Sequence, residues 1–173
     1  MTMAAAGTNA QPAPFGALRV ALIVIAAIAT LGAMADVPIA FHDFGHTEPL
    51  LVFAQRVTSA NLMIAPLIAG TALFCAVTGR TRAAIATLAA LMLVNWLSEL
   101  PRLLIHGLEL SLSTPGTIVL IERFVFPLLA VAAIVFAMRG RHLAAAALIV
   151  TLPMILTATG AILFGVGMMI HGF

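Results

Sequence analysis

The sequence predicts an all-α integral membrane protein that crosses the bilayer five times, and three observations carry that prediction. Of its 173 residues 63% are hydrophobic and 8% charged, where a soluble domain carries about 25% charged residues. The apolar residues gather in runs of roughly 20, the length a helix needs to cross ~30 Å of hydrocarbon. The arginines and the acids fall on alternate links between those runs.

Residues 1–16, rich in Ala, Pro and Gly and without periodicity, read as a disordered cytoplasmic lead, and 17–173 as one transmembrane helical domain. The runs are Val20 to Ala35, Val57 to Gly79, Ala83 to Ile105, Thr117 to Met138 and Leu143 to Ile170. Pro66, Pro127 and Pro153 lie inside runs, where neighbouring helices can re-satisfy the backbone groups that proline frees.

Arginine beside short loops is retained on the cytoplasmic side. Arg19, then Arg80 and Arg82, then Arg139 and Arg141 alternate with links holding all six acids, which predicts an N-in, C-out chain in a cell inner membrane. Arg56, Arg102 and Arg123 fall on the outer side, each with a carboxylate nearby in sequence. The first helix, 17–36, has a second reading as a cleaved signal peptide, because Ala33-Met34-Ala35 before Asp36 has the small-x-small pattern of a cleavage site. The long lead and the single arginine of that segment argue for a retained helix.

A shift of 61 residues superposes Pro66-Leu67 on Pro127-Leu128, Gly79-Arg80 on Gly140-Arg141 and Ala83-Ala84 on Ala144-Ala145. A duplicated hairpin follows as an expectation: two helical hairpins forming a four-helix bundle, with the first helix added at the side. The alternative is chance matching between alanine-rich helices.

The net charge of +2 comes from sparse charge, every basic residue other than histidine being arginine, so no basic surface for nucleic acid is expected. The arginine and alanine bias points to a GC-rich bacterial genome. Cys75 is the sole cysteine; it excludes an intramolecular disulfide and reads as a packing residue.

Two groups of residues could carry chemistry. The link from Asp36 to Pro49 holds His42, Asp43 and His46, imidazole and carboxylate groups that suit a transition metal. His106 and His171 are expected on the same outer face, where they could complete a metal site or hold a haem. Asp43 stands where a zinc protease has glutamate, and Pro38, Gly45 and Pro49 favour a solvated loop, with Thr47 capping the next helix. The second group is Asn95, Glu99, Arg102 and His106, at intervals of four, three and four on one helical stripe, with Glu122 and Arg123 facing them from the fourth run. Charges at that depth must point into the bundle. They form either ion pairs that register the helices or an outward-open polar cavity that handles a cation or proton. Trp96 stacks or anchors, and both roles stay open.

No phosphate-binding glycine loop, serine-histidine-aspartate arrangement or mid-membrane histidine pair is present in the sequence. The leading expectation is a small non-enzymatic transport component or accessory subunit, with the lipid bilayer and either its own copies or other membrane subunits as partners. The rival is a metal- or haem-binding redox or metal-handling protein.

Overall fold

The computed structural model describes residues 14–42, 45, 47–106 and 114–171. They form α1 (Pro14–Asp36), a short 3-10 turn (Val37–Phe41), α2 (Pro49–Val77), α3 (Thr81–His106), α4 (Thr114–Arg139) and α5 (Leu143–His171), with no strand among the described residues. Three segments, Gly16–Phe41, Pro49–Val77 and Thr81–Pro101, are long and apolar enough to cross a membrane. Most of the expected lead lies outside the described residues, but helix begins at Pro14, before the lead was expected to end. Thr47 does not cap α2. The N-cap is Glu48, extended at φ −72 and ψ 130, because Pro49 takes the first helical position and holds its predecessor out of helix.

The packing is what a lipid solvent selects. Thirteen of the twenty buried apolar residues described are alanine, whereas Leu31, Leu67, Phe74, Leu128 and Met138 are exposed. Lipid tails are as apolar as leucine, so helices gain little by hiding large side chains and associate instead where small residues let backbones approach. Ala54, Ala65, Ala69, Ala72 and Ala76 of α2 are such a seam, and Ala84 and Ala89 of α3, Ala130, Ala133 and Ala137 of α4 and Ala146 and Ala147 of α5 continue the small-residue core. The hydroxyls of Thr30, Thr71 and Thr87 each donate to the carbonyl four residues back at 2.7 Å, which removes a polar group from lipid within the helix itself.

Among the described residues α3 packs against all four other helices; α1 joins α2 to α5 and α4 packs on α5, while α2 touches neither α4 nor α5. The helices thus form an arc, α2, α1, α5, α4, around α3. This corrects the expectation of a four-helix bundle with its first helix at the side: Leu22 and Ala26 of α1 are wholly buried in the shared core. Being apolar on all sides, α1 gives no sequence sign of which face is buried.

The two short turns are built alike. Gly79 (φ 78) and Gly140 (φ 64) take the left-handed conformation that ends a helix. Gly79 N–H donates to the Ala76 carbonyl and Arg80 N–H to that of Cys75, at 3.1 and 2.8 Å; Gly140 and Arg141 repeat this on Ala137 and Phe136 at 3.2 and 3.3 Å. Each turn carries a guanidinium from another helix. Arg19 Nε donates to the Ala76 carbonyl at 3.3 Å and its Nη2 to that of Val77, while Arg82 lies against Gly140 so closely that a Cβ there would meet its Cζ at 2.5 Å. The starts of α1 and α3 and the ends of α2 and α4 therefore share one end of the bundle, which also carries Arg80, Arg139 and Arg141.

Gly140→Ala and Gly79→Ala should each cost about 1–2 kcal/mol from the strained φ alone. At position 140 the methyl group also displaces Arg82, whereas at 79 it meets Arg19 at 3.8 Å, an ordinary contact. Thermal unfolding in detergent should therefore show Gly140→Ala costing less in an Arg82→Ala background, with no such coupling between Gly79→Ala and Arg19→Ala.

Candidate functional site

The stripe of α3 that faces the bundle runs through Ala84, Leu88 and Leu91, which are 0%, 0% and 3% exposed. Three to four residues per turn carry the same stripe on to Asn95, then to Ser98 and Glu99. Ser98 is buried, but Asn95 and Glu99 are exposed. The side of α3 that its neighbours cover completely near the arginine end is thus open at the other end.

Two cross-links show which way this part of α3 faces. Toward α2, Asn61 Nδ2 donates to Asn95 Oδ1 at 3.2 Å and to Ser98 Oγ at 3.1 Å, and the Ser98 hydroxyl donates to the Asn95 carbonyl at 2.6 Å. Toward α4, Trp96 Nε1 donates to the Arg123 carbonyl at 2.7 Å. At ~100° per residue, Glu99 sits ~40° from Asn95 on the side of Trp96. It therefore stands on the face of α3 between the Asn95 contact to α2 and the Trp96 contact to α4. Asn95, Ser98 and Glu99 together with Asn61 form a polar cluster at the end of the bundle away from the arginine turns.

The Trp96 bond has a specific cause. A proline has no N–H to give to the carbonyl four residues back, and Pro127 leaves the Arg123 carbonyl in that state. Trp96 supplies the missing donor and pins α3 to α4, so its role is an anchor at backbone level. Its signal in the sequence was the proline 31 residues further on.

Asn61 was missed by sequence reasoning, although it stands on the α2 seam, seven residues after Ala54 and four before Ala65. Both its bonds use Nδ2; its Oδ1 is buried with no hydrogen-bond partner. An interhelical hydrogen bond in a membrane contributes about 0.6 kcal/mol on average, and an unsatisfied buried acceptor costs about 1–3 kcal/mol. As a fastener alone Asn61 is a poor choice. The balance turns favourable when something donates to Oδ1.

Of the other expected site residues, Arg123 is half-buried on α4 and its backbone serves the Trp96 bond. The side chains of Arg102, His106, Glu122 and His171 lie outside the described residues, as do Asp43 and His46 altogether. His42 is exposed, and its carbonyl accepts from Gln55 Nε2 at 3.2 Å. Among the described residues no group of three or more His, Cys, Asp or Glu is placed to hold a metal ion. Cys75 is a free thiol in the core.

Replacing Trp96 by Phe should cost about 1–3 kcal/mol by stranding the Arg123 carbonyl. In a Pro127→Ala background, where residue 127 regains its N–H, the same replacement should cost distinctly less. A double-mutant cycle by thermal unfolding reads this coupling directly; additive effects would show that the bond does not answer the proline. In comparisons with known proteins, no family model, no curated protein and no solved structure matches this chain.

Proposed function

We propose that this chain is a small polytopic inner-membrane protein that acts as a transport component, or as an accessory subunit of a membrane complex, through the polar recess around Asn95 and Glu99. The observation that carries the reading is the change along one stripe of α3 from buried Ala84, Leu88 and Leu91 to exposed Asn95 and Glu99. A carboxylate at that depth in a membrane helix costs several kcal/mol unless it faces protein or water. A partner in the protein together with water meets that requirement, and the natural use of such a wet polar site is to receive a polar solute or ion from one side.

Five crossings with the N-terminus inside agree with the arginine end, since Arg19, Arg80, Arg82, Arg139 and Arg141 gather there and the recess lies at the other end. A bundle this thin holds a recess more readily than a complete path across the membrane. It therefore works with further copies of itself or with other membrane subunits.

The reading is tested by labelling intact cells with a membrane-impermeant thiol reagent, using Glu99→Cys and Thr78→Cys in a Cys75→Ala background. The Glu99→Cys variant should react from outside and the Thr78→Cys variant only after permeabilisation, and alkaline phosphatase fused after Phe173 should be active. In intact cells, labelling of the Thr78→Cys variant alone would reverse the orientation, and protection of both variants even after permeabilisation would remove the recess.

A second reading, a metal or haem at the outer face, draws on one observation: α3 and α5 pack together and end at His106 and His171. It predicts stoichiometric metal or a Soret band in protein purified in mild detergent, reduced in His106→Ala, in His171→Ala or in the pair His42→Ala/His46→Ala. Colourless, metal-free protein with unchanged stability in these variants would eliminate it.

A further inference from the structure

The two turns at the arginine end are alike in backbone and unlike in how their guanidinium groups are used. At the Gly79 turn Arg19 is engaged by the carbonyls of Ala76 and Val77. At the Gly140 turn Arg82 of α3 lies so close that its Cζ, Nη2 and Nη1 would stand 2.5, 2.6 and 2.8 Å from a Cβ on that glycine. Yet among the described residues no hydrogen bond or ion pair occupies Arg82, nor Arg139 and Arg141 on either side of Gly140 in the chain, and all three side chains are exposed. The ring of His142 is turned to Phe136, with centroids 5.8 Å apart. One turn thus gathers three guanidinium groups whose donors are unused.

No carboxylate of the chain answers them. Arg82 is 17 residues from Glu99 along α3, and Arg139 is 17 from Glu122 along α4. Each interval is ~25 Å of helix, far beyond the ~8 Å over which exposed charges act on one another in physiological salt. The remaining acids fall in the links after α1 and α3, at the opposite end.

Guanidinium forks match phosphate oxygens in pairs, which makes phosphate the fitting anion. Its source follows from what borders the turn. Met138, next to Arg139, is 77% exposed, and Leu148, within two turns of the start of α5, is 65% exposed. A phosphate that carries acyl chains covers these side chains, whereas a free phosphate leaves them bare. Basic pockets between transmembrane helices hold anionic headgroups in this way. We propose that the Gly140 turn, with Arg82, Arg139 and Arg141, is a headgroup site for an anionic phospholipid. It stands apart from the polar cluster of α3 and does not depend on the use proposed for it.

The test uses the full chain in lipid nanodiscs. Thermal unfolding is followed in phosphatidylcholine alone, in phosphatidylcholine mixed with phosphatidylglycerol, and in phosphatidylcholine with inorganic phosphate in the buffer. The mixed discs should raise the unfolding temperature by about 2–4 °C over phosphatidylcholine alone, and inorganic phosphate should not. Arg82→Gln should remove most of that rise. So should Gly140→Ala, which alters no charge but displaces the guanidinium with its methyl group. Arg80→Gln and Gly79→Ala, the matching changes at the other turn, should keep it. Each variant is compared with itself in the two lipids, so a lower unfolding temperature in both leaves the readout intact.

Equal unfolding temperatures with and without phosphatidylglycerol would overturn the inference. A rise lost as fully in Arg80→Gln as in Arg82→Gln would reduce the arginine end to a diffuse positive surface. A rise that survives Gly140→Ala would mean that the placement of Arg82 over the turn plays no part. A rise with inorganic phosphate in phosphatidylcholine would give the site to a soluble anion instead of a lipid.

Discussion

Close approach of helices through alanine is the constraint on which the rest of this structure depends. In lipid the association of helices draws on packing and on interhelical polar contacts, not on expelling water. The α2 seam of Ala54, Ala65, Ala69, Ala72 and Ala76 brings α2 hard against α3, and the large side chains are left to meet lipid. Such a seam offers no polar partner of its own. Any polar side chain set into it must find its hydrogen bonds across the interface, as Asn61 does with Asn95 and Ser98.

The same lack of polar surroundings governs the helix ends and breaks. The last carbonyls of a helix have no partner within it, and the partial negative charge there favours a cation. Arg19 meets both needs on α2 by donating to Ala76 and Val77. The arginines that orient such a chain in the membrane are thus also parts of its packing. Within α4 the break is Pro127, and the response is Trp96. In each case a backbone oxygen left over by one helix is satisfied by the long side chain of another.

Much of this architecture was legible in the sequence. The end of the second run at Gly79 and the start of α5 at Leu143 were read from hydropathy, because that signal is local. What could not be read depended on the direction in which an apolar helix faces. Leu22, Ile25 and Ala26 bury α1 in the core, yet nothing sets them apart from Val20, Val24 and Ile28, which meet lipid. The site was legible in half. Asn95 and Glu99 stood out as polar groups on one stripe, whereas Asn61 is one amide in a run that also holds Thr58 and Ser59. Only the heptad-like spacing of the alanines around it marked it as facing α3. Trp96 and the Arg123 carbonyl are 27 residues apart in sequence, and their relation depends on a missing N–H rather than on any residue type.

The open end of the bundle follows from where its two polar pins are set. Asn95 and Ser98 fasten α3 to α2, and Trp96, at ~100° from Asn95 around the helix, fastens it to α4. Both flanking helices are thus held to α3 on separated sides, and among the described residues α2 and α4 do not touch each other. Glu99 stands on the sector of α3 between those two pins. Along the stripe the order is alanine and leucine, then neutral amide and hydroxyl, then carboxylate, which is also the order of rising cost for burial away from water. The charge stands where α3 is exposed, and the buried hydroxyl of Ser98 where its neighbours begin to cover it.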